Sequence, residues 1–221
     1  MTQISENISF IRGKIEKAAR FAGRNPGQVE LVAVSKVQPP ERIDAALEAG
    51  QRTFGENRVQ EAHEHWHDRR ALYPDLKLHL IGPLQTNKVK EAIALFDVIE
   101  TVDRSKLVHA LAQEMQKQEK SLPCFIQVNI GDEPQKAGCA IQDLPALLHE
   151  AQEAGLNIQG LMCIPPFEES PVPYFSLLKK LGERHQLKSL SMGMSGDFEE
   201  AIKLGATHVR VGTALFGTRT N

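Results

Sequence analysis

Three groups of residues carry the makings of carbonyl and anion chemistry. The first is Lys36, which ends the apolar run VELVAVSK (29–36). Strand side chains alternate, so Lys36 shares a face with Val32 and Val34. If that face turns inward, the amine is partly desolvated, which disfavours the ammonium form and makes the nitrogen nucleophilic towards aldehydes. The plainer alternative is a lysine that ends a strand and points into water. The second group is the pair MSGD (194–197) and RVGT (210–213), each placing small residues where a helical segment begins. Helix N-termini offer free backbone N–H groups and a partial positive charge. Ser195 adds a hydroxyl, and Gly196 and Gly212 let a backbone approach an anion closely. Ordinary capping by Ser195 or Asp197, with a turn at Gly212, is the alternative. The third is Arg210, two residues before Gly212 on the same strand face. It stays charged and is costly to bury unpaired. Either a carboxylate such as Glu56 or Asp197 meets it, or it donates to the pyridine nitrogen of a bound cofactor.

The elements that must position these residues follow a rhythm. Ile4, Ile8, Ile11 and Ile15 fall at helical spacing and predict an amphipathic leading helix, closed by the breakers between Gly23 and Gly27. Eight short apolar runs follow: 29–36, 52–57, 76–82, 97–102, 123–130, 157–164, 189–195 and 207–213. Amphipathic segments such as PERIDAALEAG, TNKVKEAIALF and QDLPALLHEAQEAG separate them, several ending at a glycine suited to a C-cap: Gly50, Gly155, Gly205. Strands alternating with helices of this length imply a parallel sheet. Eight such units in about 200 residues imply a closed α/β barrel, a (β/α)8 TIM barrel with an extra N-terminal helix. Residues 1–221 are expected to form one domain. The GxGxxG dinucleotide fingerprint is absent, which weakens a doubly wound alternative. Parallel barrels place their chemistry at the C-terminal strand ends, which selects Lys36, Asn57, Asn129, Met162, Ser195, Arg210, Gly212 and Thr213.

Bulk composition narrows the function classes. With 26 basic and 28 acidic residues well mixed, no basic stripe marks a nucleic-acid binder. The three cysteines, Cys124, Cys139 and Cys163, are odd in number and form no CxxC pair, which argues against a disulfide framework or a zinc site and fits a reducing cytoplasm. The first twenty residues contain no apolar h-region, and no stretch approaches the roughly 18 apolar residues of a membrane span. A cytoplasmic monomer is the expectation.

Longer motifs carry a resemblance. LVAVSKVQPPERI (31–43), FGENRVQEA (54–62), HLIGPLQTNK (79–88), QVNIGDEPQKAG (127–138), GLMCIPP (160–166) and LSMGMSGDFEEAIKLGATHVRVGTALFG (190–217) run nearly end to end. Together they resemble the pyridoxal phosphate homeostasis protein family, fold-type III barrels similar to the N-terminal half of alanine racemases. The resemblance implies that pyridoxal 5′-phosphate (PLP) is held as a Schiff base on Lys36. It implies that Ser195, Gly212 and Thr213 hold the phosphate, that Arg210 faces the pyridine nitrogen, and that Asn57 and Met194 line the ring. VQPP after Lys36 and the threonine of QTNK are small departures outside that shell. The family implies binding, vitamin B6 homeostasis and possible delivery of PLP to PLP-dependent apo-enzymes, rather than turnover. Racemases carry a second, β-rich domain and a tyrosine acid/base. Racemisation needs a base on each face of the carbanion. This sequence has two tyrosines, Tyr73 and Tyr174, neither at an expected strand end. The alternatives are a fold-type III racemase completed by a partner subunit, and a Schiff-base aldolase that uses Lys36 without PLP.

Several features carry less weight. His63 and His67 of EAHEHWHDRR share a helix face and could hold a metal, but a solvated face is the stronger reading. Lys88 and Lys136 are candidates for a second PLP location. Cys163 reads as a packing residue.

Overall fold

In the computed structural model, which describes residues 2–217, eight parallel strands close in sequential order into a barrel. They are β1 (Glu30–Val34), β2 (Thr53–Glu56), β3 (Lys77–Leu80), β4 (Val98–Val102), β5 (Pro123–Val128), β6 (Asn157–Cys163), β7 (Ser189–Ser191) and β8 (His208–Val211). Around them run α1 (Gln3–Phe21), α2 (Pro40–Glu48), α3 (Val59–Trp66), α4 (Arg69–Leu72), α5 (Val89–Leu95), α6 (Ser105–Lys117), α7 (Leu144–Glu153), α8 (Val172–Arg184), α9 (Phe198–Lys203) and α10 (Thr213–Phe216). All eight expected strands are present, and the leading helix is α1. Most end earlier than the apolar runs suggest. The largest difference is at 189–195, where the regular strand ends at Ser191; Met192 N–H still donates to the His208 carbonyl and the Gly193 carbonyl still accepts from Arg210 before the chain turns at Gly193, φ +92°. Among the described residues, no helix is long and apolar enough to cross a membrane.

Strand alternation divides the interior in two. Leu31, Ala33 and Phe54 face outward into a continuous core shared with Ile43, Leu47 and Trp66 of the helices. The Phe54 and Trp66 rings lie 4.6 Å apart there. Val32, Val34, Ile81, Phe125 and Met162 are also buried but stand apart from that core, inside the barrel. A Cβ added at Gly55 would come within 2.9 Å of both Val32 and Ile81, so the lumen is filled to contact at that level. Pairing of β8 with β1 sets Arg210 beside Val32. The parity that turns Val32 and Val34 inward is the parity on which Lys36 follows.

α1 covers the helices around the barrel seam. Ile4, Ile8, Ile11 and Ile15 are all buried, each worth about 1.5–3 kcal/mol. Thr2 caps the first turn by accepting the Ser5 N–H at 3.2 Å. Asn7 Nδ2 donates to the Leu215 carbonyl at 2.8 Å, and Arg24 donates to the Ile202 and Ala206 carbonyls. These bonds fasten the segments that follow β7 and β8.

Two glycines of the β7 loop differ in what they must do. At Gly193 a Cβ would sit 2.5 Å from Ala201 Cβ, on a left-handed backbone. At Gly196 a Cβ would meet nothing within 4 Å. Gly193→Ala is therefore expected to destabilise the fold by roughly 2–4 kcal/mol. Gly196→Ala should change stability by less than about 0.5 kcal/mol. Denaturant midpoints of the two variants check the contrast, and equal midpoints would contradict it.

Candidate functional site

The strand ends that face one another at the C-terminal mouth carry the residues singled out above. β1 runs into a tight turn at 35–38, closed by a bond from the Gln38 N–H to the Ser35 carbonyl at 3.1 Å. Ser35 is fully buried and donates its hydroxyl to Glu56 Oε1 at 2.7 Å, outside the barrel wall. Lys36 follows on the opposite parity and is half-buried. Val37 then adopts φ +59°, a strained conformation for a β-branched residue that costs on the order of 1–3 kcal/mol. Its N–H donates to the Glu61 carboxylate.

On the next strand, Asn57 is half-buried just beyond Glu56. Gly82 presses against it: a Cβ there would lie 2.3 Å from the Asn57 carbonyl oxygen. Only glycine lets β3 leave the barrel so close to Asn57.

The β7 and β8 ends meet on the other side of Lys36. Ser195 Oγ accepts N–H groups from Gly212 and Ala214, each at 3.3 Å. Two backbone donors thus converge on one oxygen at the start of α10, and the Ser195 proton remains to be donated. Thr213 opens α10 and is exposed. Met194 is half-buried, its N–H bound to Asp197 Oδ1 at 2.6 Å in a turn that closes this loop. A Cβ at Gly212 would touch Val34 at 3.4 Å, so the Gly212 backbone stands against the end of β1, two residues before Lys36. The fold thus brings Lys36, Asn57, Met194, Ser195, Gly212 and Thr213 to one rim, with Arg210 one level below.

Arg210 is buried, and its partners differ from both carboxylates considered from the sequence. Asp197 is engaged by Met194. Glu56 faces outward with Phe54, where it meets Ser35, His65 Nδ1 at 2.8 Å and Trp66 Nε1 at 3.0 Å. Arg210 Nη1 instead donates to Ser191 Oγ at 2.6 Å, and Nη2 to the Cys163 carbonyl at 2.8 Å. Ser191 passes its own proton to Glu100 Oε2 at 2.5 Å, while Glu100 Oε1 meets His79 Nδ1 at 2.6 Å. One hydroxyl accepts from the cation and donates to the anion, so the buried charges balance through a chain of hydrogen bonds. Burial alone would raise the Glu100 pKa. The His79 hydrogen bond, and the charges of His79, Arg210 and His208, outweigh it and lower the value to about 2. His208, packed edge-on against Phe125 at 5.2 Å, is held below its ordinary pKa chiefly by burial.

Sequence reasoning missed this network. The available signal was one polar residue at an inward position in each of three apolar runs: His79, Glu100 and Ser191. It also missed His65. His63 and His67 are exposed and stack on each other at 4.6 Å, whereas His65 turns towards Glu56 and Glu61. Ligand atoms of Glu56, Glu61 and His65 lie within 4.8 Å of one another, the one grouping among the described residues with potential metal-ligand geometry. Much of its capacity is already taken by protein donors. Asn129 spends its amide on Glu133, through bonds of 2.9 and 3.1 Å. Lys88 pairs with Glu91, and Lys136 with Glu133 and the Pro165 carbonyl. The three cysteines are buried and unpaired, their thiols pushed up to about 12 chiefly by burial.

Because Glu100 holds its charge in the fold at pH values where the unfolded chain has bound a proton, its contribution is complete above about pH 4.5. It is lost as pH falls towards 2. The contribution is on the order of 3 kcal/mol. Stability measured by denaturation across that window should fall less steeply in Glu100→Gln, by up to one proton of linkage. Parallel curves would contradict the role assigned to Glu100.

The profile of the family described as alanine racemase, N-terminal domain, matches residues 7–220. The pyridoxal phosphate homeostasis protein of Pseudomonas aeruginosa is 42% identical, covering 99% of this chain and 97% of that protein. Its Escherichia coli K12 counterpart is 38% identical, covering 99% and 98%. Among solved structures, Synechococcus elongatus PipY with PLP bound superposes with a TM-score of 0.83 at 36% identity, covering 97% of this chain and all of that one. An alanine racemase of Clostridium difficile, at 12% identity and a TM-score of 0.72, shares the fold over 98% of this chain and 57% of its own. This chain belongs to the pyridoxal phosphate homeostasis protein family, within the wider family of alanine racemase N-terminal domains.

Proposed function

We propose that this chain binds PLP at the C-terminal mouth of its barrel, joined to Lys36 as a Schiff base, and serves intracellular vitamin B6 homeostasis without acting as an enzyme. The observation that carries the reading is the juxtaposition of Lys36 with the paired Gly212 and Ala214 amides gathered at Ser195. An amine and an anion-binding nest on neighbouring strand ends match a ligand with an aldehyde and a phosphate. The relatives' names and the PLP-bound PipY structure support the same ligand.

In this reading Ser195, Gly212 and Thr213 hold the phosphate, Asn57 and Met194 flank the ring, and Arg210 faces the ring nitrogen. PLP supplies an aldehyde for the amine and a ring that can accept electrons. An arginine offers the ring nitrogen a hydrogen bond but no carboxylate to keep it protonated, so the ring's electron demand would be weak. Among the described residues, neither tyrosine is placed to act as a second base. Tyr73 stacks on the Arg52 guanidinium at 5.0 Å, next to the start of β3 and far from the mouth. Tyr174 donates its hydroxyl to Glu169 at 2.5 Å, which holds its pKa above the ordinary value. Both points favour binding over racemisation. Exposure of Thr213 and Gly196 at the rim suits release, so the chain buffers PLP in the cytoplasm and hands it to apo-enzymes.

The purified chain should be yellow with PLP, and borohydride should fix the cofactor to the peptide containing Lys36. Lys36→Ala should abolish that adduct, and an adduct mapped instead to Lys88 or Lys136 would overturn the assignment. For hand-over, an apo-enzyme should gain activity from the loaded chain faster than PLP dissociates spontaneously. Equal rates would leave buffering alone.

A further inference from the structure

The turn that carries Lys36 is held from outside the barrel on both sides of the lysine. Before it, the buried Ser35 hydroxyl is tied to Glu56 of β2. After it, the Val37 N–H is tied to Glu61 of α3. Glu56 is itself fixed by His65 and Trp66 of α3, and the carboxylates of Glu56 and Glu61 lie close to His65. Val37 keeps its left-handed backbone although its side chain is 64% exposed, so no packing of that side chain explains the conformation. Two bonds hold it: the Gln38 N–H to the Ser35 carbonyl closes the turn, and the Val37 N–H to Glu61 anchors it to α3. Releasing the anchor weakens the hold on the strained φ, which frees the peptide following Lys36 to rotate and redirect its side chain.

We propose that Glu56, Glu61 and His65 are positioning residues for Lys36, forming an outer clamp that fixes the 35–38 turn and aims the lysine into the barrel mouth. The inference rests on the reading of Lys36 as the PLP-bearing lysine. His65 ties the two carboxylates together: its Nδ1 meets Glu56 Oε1 at 2.8 Å, and ligand atoms of all three residues lie within 4.8 Å of one another. Arg69 is engaged elsewhere, by Asp44 of α2 at 2.7 and 2.8 Å.

The test uses the full chain without cofactor, so it does not depend on PLP. Hydrogen exchange reads the Val37 amide, and competitive acetylation reads Lys36 against the other lysines. In Glu61→Ala, Val37 protection should fall about tenfold or more, and Lys36 labelling should rise towards the rate of exposed lysines. Glu61→Gln, which keeps an acceptor, should retain most of the protection. Adding Val37→Gly to Glu61→Ala should bring Lys36 labelling back towards the wild-type rate, because glycine takes the left-handed turn without strain. If Glu61→Ala does not fold, Ser35→Ala, which removes the tie to Glu56 on the other side of the lysine, decides by the same Lys36 labelling. Unchanged protection and labelling, in a chain that borohydride still tags at Lys36, would overturn the clamp and leave the PLP reading standing. A clamp that responds as described, in a chain with no Lys36 adduct, would overturn the PLP reading instead.

Discussion

Side-chain parity in a closed barrel is the constraint on which this molecule depends. Each strand presents alternate residues to the lumen and to the helices, and closure leaves no edge at which the pattern can slip. With Val32 and Val34 inward, the same alternation carried one step past the strand would give Lys36 the lumen side, while Ser35 is sent outward to Glu56. The same rule sends Arg210 and Gly212 inward and Val211 outward. A one-residue shift in β1 would exchange the lysine for a serine at the mouth and bring Glu56's partner into the lumen.

That parity obliges the lumen to accommodate charge. Arg210 cannot shed its proton, so β4 and β7 provide Glu100 and Ser191, and β3 provides His79 to steady the carboxylate. The result is a rigid polar floor beneath a mouth whose upper residues, Lys36, Asn57 and Thr213, remain half-buried or exposed. The floor fixes an arginine, and the rim gathers two backbone amides at Ser195.

Much of the architecture was legible in the sequence because strands buried on both faces read as apolar runs and the helices between them carry a helical period. The strand ends were less legible. SLSMGMS runs on past Gly193, where the last ladder bond to β8 is made and the chain turns, since composition does not record where ladder bonds stop. Of the site, Lys36, Ser195 and Gly212 stood out by type and place. The carboxylate that balances Arg210 through Ser191 did not, because Glu100 lies 110 positions away and only closure of the barrel brings it near. Glu56 was weighed as that partner although Phe54, two residues earlier, belongs to the outer core. His65 was passed over because the i, i+4 pair His63 and His67 is the more visible pattern, whereas His65 sits beside Trp66 on the inward side of α3.

The most direct measurement is a crystal structure of the chain grown with PLP. The account predicts continuous density from Lys36 Nζ to the cofactor, its phosphate against Ser195 and the Gly212 amide, and its ring nitrogen towards Arg210. A lysine directed into bulk water, with the phosphate bound away from the β7 and β8 ends, would contradict it.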